Sequence, residues 1–129
     1  MTERLRQEIE LLLSRFPELE YREEDQWVLL PTFRMPAGLW DQCQVRVAFH
    51  IPAGYPGQKP YGFYVSPRIL LRGGGQPNNV TDSNEPPFGG DWRKFSWDAP
   101  SWRATADVKS GDNLLNWVLT FTKRLEEGL

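Results

Sequence analysis

The chain carries one cysteine and one histidine among its 129 residues, and this scarcity removes several chemistries at the outset. A lone cysteine makes no internal disulfide, so a reducing, cytoplasmic setting is the default expectation. Zinc sites built on histidine and cysteine have only Cys43 and His50 to draw on, which excludes them, and no cofactor is expected. No apolar run approaches the length, about 20 residues, that spans a bilayer. The opening residues, Met1 to Phe16, mix acids and bases through their apolar positions, unlike a signal peptide. A net charge of −2 supplies no field to draw the protein onto nucleic acid or an anionic membrane. The sequon Asn79-Val80-Thr81 matters only on a secreted chain and is discounted.

What is present fits an ordinary soluble domain. Hydrophobic residues at 40% and charged residues at 25% sit in the globular range, and the length suits one domain with one core, residues 1–129. Tryptophan and proline stand out, at six and eleven. Three of the tryptophans (Trp92, Trp97 and Trp102) crowd into one short segment after the most glycine-rich stretch. Aromatics at that density point to burial of at least two of them, because exposing all three leaves a costly apolar patch.

The segment from Cys43 to Pro67 organises the rest. Cys43, Val45, Val47, Phe49 and Ile51 alternate with Gln42, Gln44, Arg46, Ala48 and His50, the period of a strand with one buried face. Gly54, Pro56, Gly57 and Pro60 then enforce a rigid turn, and Tyr61 to Val65 re-enters the sheet before Pro67. Upstream, Leu5, Ile9, Leu12, Leu13 and Phe16 fall at helical spacing over residues 3–16. Glu3, Arg4, Gln7, Glu8 and Arg15 lie mostly on the other face, and Pro17 stops the helix. Leu19–Tyr21 and Trp27–Leu30 read as two strands around the acidic turn Glu23-Glu24-Asp25 or as one strand with a ragged start, with Pro31 ending the second and Thr32–Met35 continuing as a strand edge. Three successive carboxylates lack the alternate spacing that wraps a cation, so the turn reads as solvated charge.

Residues 72–91 form a polar, broken segment read as a long loop, either a functional flap or mobile. Its glycines lack the strand and lysine-bearing helix of a nucleotide loop. The chain closes with a helix whose stripe is Leu114, Trp117, Val118, Phe121 and Leu125, with Ser110 as N-cap and Asp112 in the first turn. Together these elements predict an α+β fold, an antiparallel four-stranded meander with N-terminal and C-terminal helices packed on it.

No reaction declares itself. Cys43 shares its strand face with Val45 and Val47, so a buried, inert thiol is expected. His50 lies on the opposite face of the same strand, and the two make no catalytic pair. The residues alone indicate a binding domain more than an enzyme.

The order of elements resembles the ubiquitin-conjugating enzyme superfamily across nearly the whole chain. The most specific piece is Phe49-His50-Ile51-Pro52-Ala53-Gly54-Tyr55-Pro56-Gly57-Gln58-Lys59-Pro60, similar to that family's strand and Tyr-Pro turn. Gln76-Pro77-Asn78 is similar to the family's His-Pro-Asn, whose asparagine stabilises the oxyanion formed as an amine attacks the thioester. Trp102-Arg103-Ala104 leading into Leu114–Leu125 resembles the tryptophan and helix after the active-site cysteine. The departure is that residues 79–101 hold no cysteine. Ser96 falls in the interval without a histidine beside it to activate a hydroxyl.

The resemblance therefore implies a cysteine-less, UBC/RWD-like relative, of the prokaryotic group called family E. Such proteins are encoded with ubiquitin-like and activating-enzyme-like proteins in bacterial operons, some linked to phage defence. On that footing a ubiquitin-like β-grasp protein is the expected partner, with an activating-enzyme-like protein as a second. Asn78, Trp92, Arg93, Phe95 and Trp97 are the expected contact residues, since such surfaces depend on aromatic and arginine anchors. Two alternatives stand beside this reading. One is an active conjugating enzyme using Cys43 or an unrecognised nucleophile; the other is an unrelated scaffold whose loop 72–91 binds a small molecule.

Overall fold

A computed structural model describes residues 1–99 and 101–127. Helix α1 spans Glu3–Arg15, begun by Thr2, whose hydroxyl accepts from the Leu5 N–H at 3.1 Å. Leu5, Ile9 and Leu12 are buried as their spacing predicts, whereas Leu13 is exposed. Glu8 departs from expectation: it lies on the buried face with no exposed surface. A carboxylate tolerates that position only when its oxygens are satisfied. It accepts from Arg4 Nε at 2.9 Å, from the Leu114 N–H at 2.8 Å and from the Tyr55 hydroxyl.

The sheet has six strands, not the four expected. They are β1 (Glu20–Arg22), β2 (Trp27–Arg34), β3 (Gln44–His50), β4 (Tyr61–Ser66), β5 (Val80–Asp82) and β6 (Arg93–Asp98), in the order β1-β2-β3-β4-β6-β5, with every pairing antiparallel. The first four form the predicted meander, and the other two come from segments read as a loop and as a tryptophan cluster. β5, inside 72–91, is three residues long and mostly exposed, so backbone hydrogen bonds to β6 define it and no hydrophobic alternation does. β2 does not end at Pro31 but runs through it to Arg34, taking in most of the strand edge expected over Thr32–Met35. Its register against β3 shifts between Leu30 and Phe33, an irregularity that accommodates a residue with no N–H to donate.

Two hydrophobic layers flank the sheet. On one face α1, α2 (Leu114–Leu119) and α3 (Phe121–Glu127) cover Val45, Val47, Phe49, Phe63, Val65 and Phe95. Phe63 stacks on Phe121 at 4.2 Å and on Phe95 at 5.3 Å, tying β4, β6 and α3 together. The opposite face is roofed as well: Trp27, Leu29, Ala48, Tyr64 and Trp92 are buried there, with Phe88 from the β5–β6 connection laid against them. Arg46 fastens this roof, lying 4.7 Å over the Trp92 ring and donating to the carbonyls of Phe88 and Gly89 and to Ser66 Oγ. Gly90 is required here: its φ is +88°, and a Cβ would meet Arg46 Nη2 at 2.4 Å.

The C-terminal helix starts one turn later than its sequence signals suggest. Asn113, not Ser110, is the N-cap, its Oδ1 accepting from the Asn116 N–H at 2.8 Å. Ser110 bonds locally within the preceding loop, and Asp112 turns away to accept from the Arg103 N–H. The helix is also divided at Thr120, whose hydroxyl donates to the Trp117 carbonyl at 2.6 Å, a back-bond that disturbs helix continuity.

Candidate functional site

Two buried arginines hold the Gln76-Pro77-Asn78 strap against β6. Arg93 donates from Nη1 to Gln76 Oε1 at 3.0 Å and to the Ile69 carbonyl at 3.2 Å, and from Nε to Asp82 Oδ1 at 2.9 Å. Arg124, on α3, donates from Nη2 to the Asn78 carbonyl at 2.5 Å and from Nε to the Ser96 carbonyl at 3.4 Å. Its guanidinium also lies 5.2 Å over Phe95. Burial, with Nη1 left unpartnered, draws the pKa of Arg124 below the usual arginine value. Within the strap Pro77 is buried, while Asn78 is exposed.

The expected contact residues divide. Trp92 and Phe95 are fully buried, on opposite faces of the sheet, and Arg93 is 9% exposed and committed to the strap. These three side chains build the fold and offer a partner no surface in this conformation. Asn78 and Trp97 remain accessible. Of the three clustered tryptophans only Trp92 is fully buried; Trp97 and Trp102 are half-buried. The Nε1 of Trp97 donates to Thr120 Oγ1 at 2.9 Å, and that of Trp102 donates to the Pro56 carbonyl at 3.1 Å. With Trp117, Asn116 and Thr120 they line a cavity of about 210 Å³. Trp117 Nε1 is buried and unpartnered. The sequence did not reveal this grouping, although Trp117 and Thr120 are spaced to share a helix face.

The Tyr-Pro turn joins the same region from below. Tyr55–Pro56 is a cis peptide, and the Tyr55 ring lies 5.9 Å from Trp102. Burial, reinforced by the Glu8 carboxylate accepting its proton, raises the Tyr55 pKa well above the usual tyrosine value. Burial and then Glu85 push Tyr64 up to about 12. Both shifts favour the protonated form in the folded state. Above an unfolded tyrosine pKa of about 10 the unfolded chain therefore binds fewer protons than the native one, and stability falls with rising pH. Denaturant midpoints measured through this alkaline range should decline from about pH 10 onward. The share from Tyr64 is lost by about pH 12, and the decline should be shallower in Tyr64→Phe.

The lone thiol is not where its pattern placed it. Cys43 is exposed, lying just before β3, where the alternating run has not yet entered the sheet and only its carbonyl is engaged, by the Met35 N–H. Asn78 precedes β5, and β4 and β6 intervene between β3 and β5. Strands β3 and β5 are thus three strand spacings apart, about 14 Å. His50 sits at the other end of β3, its ring 5.4 Å from Trp27, about 23 Å along the strand from Cys43.

Glu23, Glu24 and Asp25 form an open turn in which Asp25 pairs with Arg22. Among the described residues, no three histidine, cysteine, aspartate or glutamate side chains gather to hold a metal, and no helix is long and apolar enough to cross a membrane.

A family model described as prokaryotic E2 family E matches residues 8–127. No curated protein and no solved structure matches the chain.

Proposed function

The chain belongs to prokaryotic E2 family E, and from that membership we propose that it acts in a ubiquitin-type conjugation pathway as a non-catalytic binding module. The observation that carries this reading is a missing sulfur. Between Asn78 and Trp102, where the resemblance to conjugating enzymes calls for the acyl-carrying cysteine, the sequence holds none. The one thiol, Cys43, lies across the sheet from the strap, and the sole histidine is too far from it to draw off a proton.

What remains is a surface. Trp97 and Trp102 line the tryptophan cavity and Asn78 is exposed on the strap, and half-buried tryptophans held by hydrogen bonds are rigid enough to act as binding anchors. The partner under this reading is a ubiquitin-like β-grasp protein, held noncovalently.

Calorimetric titration of a ubiquitin-like protein from the same genome tests it. Trp97→Ala is expected to weaken binding by about 2 kcal/mol, close to thirtyfold in Kd. Leu13→Ala, on the exposed face of α1, is expected to leave Kd unchanged. Unaltered affinity in Trp97→Ala, with its thermal unfolding unchanged, counts against the reading. A thioester formed with an activating enzyme and lost on Cys43→Ser replaces it with a catalytic one.

A further inference from the structure

A hollow of about 640 Å³ opens where the β2–β3 connection meets Arg72. That volume lies within the range of small-molecule sites, about 300–1,000 Å³. Its floor is apolar and firmly held: Met35 and Trp40 are 4% and 5% exposed, and Trp40 Nε1 donates to the Leu125 carbonyl at 2.9 Å. Its rim is cationic, with Arg34 and Arg72 both exposed on the lining.

Most arginines elsewhere on this protein have employment. The side-chain ion pairs of the described residues engage Arg4, Arg6, Arg22, Lys59, Arg68 and Arg93, and neither Arg34 nor Arg72 is among them. Among the described residues lining the hollow the one acid is Asp41, whose Oδ1 accepts from the Leu70 N–H at 3.2 Å. Two guanidiniums that make no ion pair among the described residues, against one carboxylate, give the hollow an excess of positive charge beside a buried indole and thioether.

We propose that this hollow binds a small anionic ligand with an apolar body, its carboxylate or phosphate held by Arg34 and Arg72 and its body seated on Trp40 and Met35. Planar guanidinium forks match either anion with paired N–H donors, and the held indole loses no rotamer freedom on contact. The site lies on the β2–β3 connection, apart from the tryptophan cavity, and does not depend on the conjugation reading.

The chain supplies its own reporter, because Cys43 is its single thiol and lies on the same lining. The test follows the rate at which iodoacetamide alkylates Cys43 in the presence of phenyl phosphate, a ring bearing one anionic head. Saturable protection is expected, with little from phenol, the same ring without the charge. Arg34→Gln and Arg72→Gln are each expected to raise the half-protecting concentration about tenfold, the scale of one charge-assisted contact. Arg15→Gln, on the exposed side of α1, is expected to leave it unchanged. A second readout avoids any ligand: the iodoacetate-to-iodoacetamide rate ratio should fall in the Arg34→Gln, Arg72→Gln double variant. Absence of protection, equal protection by phenol, or protection and rate ratio both persisting in the double variant overturns the proposal.

Discussion

Glu8→Ala is expected to lower folding stability by about 3–5 kcal/mol, the scale on which removal of one partner exposes the others of a buried charged network. The carboxylate has no exposed surface and serves three elements at once: Arg4 one turn back on α1, the Tyr55 hydroxyl in the Tyr-Pro turn, and the Leu114 N–H at the start of α2. Alanine leaves that buried N–H and that part-buried hydroxyl without acceptors, and leaves Arg4 without its ion-pair partner. Glu8→Gln keeps the shape and an acceptor oxygen, so its loss should be smaller. Urea unfolding of the two variants gives the comparison directly. A Glu8→Ala midpoint close to that of the parent chain would show that the three elements are held together by apolar contact alone.

Phe63→Ala has an effect of similar size from a different cause. Phe63 is fully buried and stacked on Phe95 and Phe121, with interplanar angles of 8° and 18°. Truncation removes the transfer free energy of the ring and leaves a cavity that a sheet residue flanked by two other aromatics cannot collapse. The expected cost is about 3–5 kcal/mol. Tyr61→Ala, two residues away on the same strand but 54% exposed, is expected to change stability by less than about 0.5 kcal/mol. Thermal unfolding of the pair separates burial from mere strand membership, and equal losses would contradict the assignment of the core.

These variants probe elements that differ in how plainly the chain announces them. The faces of α1 and β3 follow from apolar spacing, because Leu5, Ile9 and Leu12, like Val45, Val47 and Phe49, are buried by the regular repeat of their element. The β3 alternation extends back through Cys43 and Gln42, which lie ahead of the strand, since a repeat does not say where hydrogen bonding begins. Ala48 is buried on the face expected to be polar because the β5–β6 connection folds back over it, a long-range event with no local signature.

β6 is the instructive case. Trp92 and Lys94 face one way while Arg93, Phe95 and Trp97 face the other, a period of two disguised by an arginine on the inward face. Only the distant Asp82, Gln76 and Ile69 make that arginine tolerable there. The segment therefore reads as a cluster of aromatics when it is a strand that joins two hydrophobic layers, and three of the residues expected to meet a partner are structural for that reason. The tryptophan cavity has no local signature because Trp97, Trp102 and Trp117 converge only once β6, the loop after it and α2 are in place.

Roofing the second face of the sheet has a consequence for how this protein meets others. A bare sheet offers a broad, flat platform on which another domain can lie, but here Phe88 and Trp92 occupy that ground and Arg46 latches the cover down. A partner must therefore dock on the cover itself, on the helices or along the strand edges, because the pleated surface beneath is already spoken for.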